Sequence, residues 1–184
     1  MYPGGRIDPA DFGDEPDNVD EAARRAAVRE AEEEAGVELD PSSLIHFAEW
    51  TTPAIRPKRF RTWFFAARAT GGEIAVDGGE IHAYRWMRPQ DALAAQATGD
   101  IELPGPTFVT SHWLSAHTRV ERALAALGRG PVPRYLPHTR KIEGGLVSLL
   151  PEDDAFDGGE LEEARARHRI YMVDGAWRYE RREG

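Results

Sequence analysis

Residues 19–35 carry the strongest helix signal in the chain, and the end of that helix breaks a rule that helices normally keep. Ala, Arg and Glu dominate the stretch, and all three favour helix. Asn18 suits the N-cap, with Glu21 three residues on to complete a capping box. Gly36 suits the left-handed position just past the last turn. Yet REAEEEAGV, residues 29–37, sets glutamates at 30, 32, 33 and 34. The free carbonyls of a last turn carry partial negative charge, so an acid there costs about 0.3–1 kcal/mol. Like charges at i,i+3 and i,i+4 add to that cost.

At about 100° per residue, Glu30, Glu33 and Glu34 share one side of the helix and Glu32 falls on the other. Side chains so spaced, with Cβ atoms about 5–6 Å apart, can converge on a hard divalent cation, which turns repulsion into stabilisation. All-oxygen ligation selects magnesium or manganese over zinc or copper. Arg29 stands next to this face and can bridge to a neighbouring acid. Gly4 and Gly5, in the turn Pro3-Gly4-Gly5, have no side chains, so their backbone can approach a ligand closely. The carbonyl of Gly5 becomes a further metal ligand if that turn folds back onto the helix end. The residues alone leave a second reading open, a solvated acidic face on an Ala-rich helix.

The rest of the chain narrows the classes of partner. The protein has 184 residues, 41% of them apolar, enough for one ordinary domain plus an extension. Its net charge of −9 argues against nucleic acid or an anionic membrane as partner, and an acidic protein that takes phosphates needs a cation as intermediary. Cysteine is absent, which removes disulfides and thiolate metal sites and is compatible with a cytoplasmic protein. The most apolar run, residues 63–67, is far too short to span a membrane. Met1 stands two residues before the Pro-Gly-Gly turn, which leaves no room for a signal peptide.

Residues 6–17 read as an Asp- and Pro-rich loop. The pattern predicts strands over 44–51 and 59–68, the latter bulky on both faces and therefore central, and further strands over 73–76 and 82–87. A short helix is expected over 90–97 and a long one over 107–127, ending at Gly128. Pro131 and Pro133 mark a boundary, so that residues 1–130 form one domain and 131–184 a β-rich extension. In the extension, 146–150 reads as a strand and 160–168 as a helix. Strands over 170–173 and 176–180 flank Asp174-Gly175, a type I′ hairpin signal.

Glu21, seven residues, Arg29-Glu30, apolar Ala31, one residue, Glu33-Glu34, one residue, Gly36 and apolar Val37, preceded by Pro3-Gly4-Gly5, resemble the signature box of the Nudix family. The wider resemblance, including WMRPQDAL, runs over residues 3–130. It implies an α/β/α sandwich with a mixed sheet, and hydrolysis of a diphosphate linked to another moiety, usually in a nucleoside diphosphate derivative. Carried over by position, Glu30, Glu33 and Glu34 are the magnesium ligands, assisted by the Gly5 carbonyl. Arg29 is the orienting residue, and Glu21 helps fix the loop–helix–loop. Glu30 is also a candidate catalytic base, beside Glu80, which resembles the downstream glutamate many members use; Glu80 also reads as a plain turn acid. Glu102 is a distant third.

The sequence departs from the family pattern twice. Fifteen residues separate Gly5 from Glu21 instead of five. Such an insertion, with TTPAIRPKRFRTWFF, resembles the branch of coenzyme A diphosphatases. The strands that usually precede Pro-Gly-Gly are also missing, which leaves a sheet edge beside residues 59–68 for the C-terminal strands or a second copy of the chain to cover. Arg56, Lys58 and Arg59 form a basic cluster that can meet substrate phosphates or simply balance an acidic surface. Trp50 and Trp63 are candidates to stack on an adenine, although the apolar setting of Trp63 fits a core position better. His112 and His117 miss helical ligand spacing, and no phosphate-binding loop or dinucleotide fingerprint is present.

Overall fold

The computed structural model describes residues 2–69 and 86–184. The expected strand over 73–76 and Glu80 lie outside the described residues, as does most of the strand expected over 82–87. Two compact units are present. One is drawn from the described residues of Met1–Phe47, Trp63–Arg88 and His117–Val132, the other from Ala48–Thr62, Pro89–Ala116 and Pro133–Gly184.

The first unit is organised by helix α1, Val19–Ala35. It begins as its residues require: the Asn18 side chain accepts a hydrogen bond from the Glu21 N–H, satisfying one of the orphan donors of the first turn. It ends on Gly36, whose φ of 61° is left-handed and whose N–H returns to the last turn. The buried face is made of Ala22, Ala23, Ala26, Ala31 and Ala35. Alanines bury little area, so polar anchors supplement this face. Arg24 donates through Nη1 to the carbonyls of Pro41 (3.1 Å) and Leu44 (2.6 Å), tying the helix to the approach of the next strand. The insertion contains a 3-10 turn, Pro9–Phe12, capped reciprocally by Asp8 and Asp11.

Strands β1 (Ile45–Thr51), β2 (Arg61–Ala66) and β3 (Arg134–Tyr135) form a three-stranded sheet in the order β2-β1-β3, with β3 parallel to β1. Glu49, on the middle strand, is buried, and its carboxylate takes Arg61 Nε at 2.9 Å and Arg134 Nε at 3.2 Å. A buried carboxylate is tolerated because it is paired from both flanking strands. Among the described residues β1 lies in the middle of this order and β2 at its end. Alternate residues of β2 meet different partners, with Phe64 edge-on to Phe47 and Phe65 beside His46, and Trp63 donates from Nε1 to Asp20 at 2.8 Å.

The second unit holds helices α2 (Pro89–Thr98) and α3 (Gly105–Ser115); α4 (Val120–Leu127) belongs to the first. The long helix expected over 107–127 is thus broken. Two side-chain bonds lie at the break: the Ser115 carbonyl accepts from Gln90 Nε2 (2.9 Å), and the Ser115 hydroxyl bonds the His112 carbonyl (2.7 Å). Side-chain donors on these carbonyls weaken the continuation of the helix.

Strands β4 (His138–Ile142), β5 (Gly145–Leu149), β6 (Arg167–Val173) and β7 (Ala176–Arg182) form an antiparallel sheet in sequential order. The β6–β7 turn is the expected hairpin, with Asp174 and Gly175 both at positive φ, 49° and 79°. Among the described residues these strands pair with one another and not with β2, so of the two covers expected for its edge the C-terminal strands are not the one. The helix expected over 160–168 is absent. The Asp154 carboxylate accepts the N–H groups of Arg165 (2.9 Å) and Ala166 (2.8 Å), and Arg169 takes the Leu161 carbonyl (3.0 Å), so side chains satisfy the backbone there. The sheet packs Val147 and Leu149 against Ala155 and Ala164. Beside them Asp153 and Arg169, both 0% exposed by side chain, form a two-pronged pair at 2.6 Å for each contact. Among the described residues no helix is long and apolar enough to cross a membrane.

Candidate active site

The acidic end of α1 is organised around Arg29. Its Nη1 donates to Glu30 Oε1 and Glu33 Oε2, both at 2.9 Å. Its Nε and Nη2 donate to the two carboxylate oxygens of Asp11, at 3.3 and 3.0 Å, and Nη2 also reaches the Arg6 carbonyl at 2.9 Å. The guanidinium therefore gathers acids from the helix and from the insertion. Its pKa is raised, chiefly by the Asp11 hydrogen bonds, against the cost of burial and with the help of Glu30 and Glu33. Burial opposes ionisation of Asp11, but the bonds from Arg29 and from the Asp8 N–H outweigh it and hold its pKa below the ordinary carboxylate value.

The three glutamates singled out by sequence differ in setting. The Glu30 side chain is only 13% exposed, and that of Glu33 is 58% exposed. Glu34 accepts the Gly4 N–H at 3.0 Å. Gly5 faces Glu30 so closely that a Cβ at position 5 would collide with its carboxylate. The Pro-Gly-Gly turn thus does fold back on the helix end, and absence of a side chain at position 5 is what permits it. Glu32 is exposed, on the other face. Glu21 pairs with Arg24 and Arg25 at 3.7 and 3.5 Å.

Among the described residues no three of His, Cys, Asp and Glu are gathered into a cluster that could hold a metal ion. Glu30 and Glu33 are turned toward Arg29 Nη1, so the arrangement is the arginine-paired one. The donor set nonetheless suits a hard cation: three carboxylates on one side of a helix end, with the backbone of a glycine against one of them.

Arg56, Lys58 and Arg59 are exposed in a loop whose neck is closed by Thr52 N–H to the Phe60 carbonyl (2.9 Å) and Phe60 N–H to the Thr52 hydroxyl (3.1 Å). Arg59 spends its Nε on the Thr52 carbonyl. Trp50 is a correction: it is 3% exposed, with its ring 4.5 Å from that of Tyr135, so its faces are committed to the core and not open to a base. Glu102 is exposed at the start of the turn into α3. His112 is half-buried, edge-on to Phe108, and burial lowers its pKa. Sequence reasoning missed Asp11. The signal was present: Asp8-Pro9-Ala10-Asp11 is an N-cap, a proline at the first helical position and an acid three residues on.

Comparison with known proteins identifies the family and the fold. A family model described as NUDIX domain matches residues 2–104. The acyl-coenzyme A diphosphatase NUDT19 of Xenopus laevis is 25% identical over 122 residues, covering 62% of this chain and 32% of that protein. The human protein of the same name is 28% identical over 120 residues, with the same coverage. The chain thus spans about a third of the length of these curated relatives. Among solved structures, a NUDIX hydrolase from Alicyclobacillus acidocaldarius superposes with a TM-score of 0.61 at 24% identity, covering 71% of this chain and 82% of that one. The likeness shows the fold, a mixed α/β architecture of the α/β/α sandwich kind.

Proposed function

The chain belongs to the Nudix family, and from that premise we propose that it hydrolyses a diphosphate linkage in a nucleoside diphosphate derivative, with coenzyme A or an acyl-coenzyme A as the leading substrate. The observation that carries this reading is the acidic end of α1, with Glu30, Glu33 and Glu34 beside Gly5 and ordered by Arg29. Water adds to one phosphorus, the bridging P–O bond breaks, and two phosphomonoesters result. Divalent cations are general in the family; held by Glu30, Glu33, Glu34 and the Gly5 carbonyl, magnesium or manganese would supply charge neutralisation of the diphosphate and acidification of a coordinated water.

The chain's own contributions follow from its residues. Arg29 holds Glu30 and Glu33 through Nη1, an ion pair whose two carboxylates a cation would have to share. Glu30, the least exposed of the pair, suits a base that accepts the proton of water; Glu80 is its alternative. Arg56 and Arg59, with Lys58, suit contact with substrate phosphates, by charge and exposure.

The test is hydrolysis of a panel comprising coenzyme A, an acyl-coenzyme A, ADP-ribose, NADH and diadenosine polyphosphates with magnesium or manganese. Glu33→Gln and Glu34→Gln serve as controls. The reading expects turnover that both substitutions reduce by about 10²-fold or more, the scale of losing a charge-stabilising group. Unchanged rates in both remove the metal assignment. Metal-dependent nucleotide binding without turnover identifies instead a non-catalytic binding module.

A further inference from the structure

Fifteen residues stand between Gly5 and Glu21, and one of them reaches the centre of the site. Asp11 is 6% exposed, although it lies in a loop otherwise open to water. Its carboxylate is fully engaged: Oδ1 takes Arg29 Nε, while Oδ2 takes Arg29 Nη2 and the Asp8 N–H at 2.8 Å. The loop carrying it is held from the same helix, because Arg25 Nη1 donates to the carbonyls of Asp11 (3.2 Å) and Phe12 (3.0 Å). One helical turn of α1, Arg25 to Arg29, therefore grips the insertion by its backbone and by one carboxylate.

Resting on the diphosphatase reading, we propose that Asp11 is a positioning residue: it fixes the Arg29 guanidinium so that Glu30 and Glu33 are available to a divalent cation. Arg29 and a cation draw on the same two carboxylates. Asp11 occupies the Nε–Nη2 edge of the guanidinium and leaves only Nη1 facing the glutamates. Without Asp11, Nε and the second N–H of Nη2 lose their partner, with Asp8 at 3.8 Å the one other acid beside Nη2 among the described residues, and the guanidinium can turn further toward those glutamates. The arginine then competes more strongly with the cation, and the cation binds less tightly. Groups that orient metal ligands from behind typically change metal affinity by about 10–100-fold when removed.

The test uses the full chain and manganese alone, titrated by calorimetry. Asp11→Asn keeps the size of the side chain and an acceptor for the Asp8 N–H, and removes the charge that holds Arg29. It is expected to weaken manganese binding by about 10–100-fold. In an Arg29→Lys background the same substitution is expected to change affinity by less than about twofold, because the residue through which it acts is gone. The Nε–H resonance of Arg29 in the metal-free protein is expected to broaden or vanish in Asp11→Asn, a readout independent of activity. Manganese uptake that Glu33→Gln weakens and Asp11→Asn leaves at the wild-type value overturns the positioning role while the diphosphatase reading stands. Equal losses from Asp11→Asn in the presence and absence of Arg29 also overturn it, since the loop then acts by some route other than Arg29. Absence of uptake by the wild type overturns both.

Discussion

Two arginine–aspartate pairs divide the work of this molecule. Arg169 and Asp153 meet in full burial, at 2.6 Å on both prongs, and the remaining lone pairs of Asp153 are taken by the N–H groups of His168 (2.8 Å) and Ala155 (3.0 Å). Arg29 and Asp11 meet at 3.0 and 3.3 Å, and the same guanidinium is shared with Glu30 and with Glu33, which is well exposed. The first pair is closed, with every partner internal. The second is open on one side, through Glu33, whose side chain is 58% exposed. Closure makes an ion pair a structural element; openness leaves it able to exchange partners.

If closure is what separates them, the largest effect on stability belongs to the C-terminal sheet. Asp153→Ala leaves Arg169 charged, buried and unpaired, and is expected to cost about 3–5 kcal/mol. At about 2–4 °C per kcal/mol for a chain of this length, the melting temperature falls by roughly 6–20 °C. Thermal denaturation checks it. A melting temperature within a degree or two of wild type would show that the pair contributes nothing that water cannot replace.

The open pair predicts the reverse ranking. Glu33→Gln removes one exposed partner of Arg29 and relieves repulsion among the acids of the last turn, so stability changes by about 1 kcal/mol or less. Manganese binding and turnover, by contrast, fall sharply. Asp153 variants that still fold should bind manganese as the wild type does. A variant of Glu33 that unfolds the protein but spares metal binding would invert the comparison and refute it.

The same contrast explains what could be read from the chain in advance. Helix α1 was legible at both ends because its caps are local: Asn18 answers Glu21, and Gly36 needs only its own backbone freedom. The Asp174-Gly175 hairpin was legible for the same reason. The acid cluster announced itself by breaking a local rule. What was not legible depends on distant partners. Asp11 reaches Arg29 across 18 residues, and Arg169 reaches Asp153 across 16. The break after α3 has a partner in Gln90, 25 residues away, and the segment 160–168 has partners in Asp154 and Arg169. Strand β3 is two residues between Pro133 and Pro137, too short for any periodicity, and only its parallel pairing with β1 makes it a strand. Trp50 looked like a stacking surface because its partner Tyr135 lies on that unread strand.

Acid should affect both pairs in the same direction. Asp153 and Asp11 each keep a pKa below the ordinary carboxylate value, in both cases against burial and through their arginines. A depressed folded-state pKa adds stability that is complete above the unfolded value, near 3.8, and is lost as pH falls through the folded value. Wild-type stability is therefore expected to drop steeply below about pH 4. Asp11→Asn should flatten part of that slope while lowering stability at neutral pH, and denaturant melts from pH 5 to pH 2.5 measure both.

A further effect comes from a base rather than an acid, and it sharpens the account of the closed region. His168, 2% exposed, donates from Nδ1 to the Pro151 carbonyl at 2.8 Å and lies between Tyr135 and Tyr179. Burial lowers its pKa, with nearby Arg181 acting in the same direction and the Pro151 carbonyl, Glu152 and Asp153 opposing. The folded protein then resists a proton that the unfolded chain accepts near pH 6.5. The sign is opposite to that of a paired histidine: stability rises with pH through this window and falls as pH drops below about 6.5, by at most about 1.4 kcal/mol per pH unit for one proton. His168→Gln retains a donor for Pro151 and removes the titration, so its stability between pH 7 and 5 should be flatter than that of the wild type. His112, also lowered by burial, keeps some slope in place. An unchanged slope in His168→Gln would mean that this histidine takes its proton without opening the sheet, and that the region is less closed than its ion pair implies.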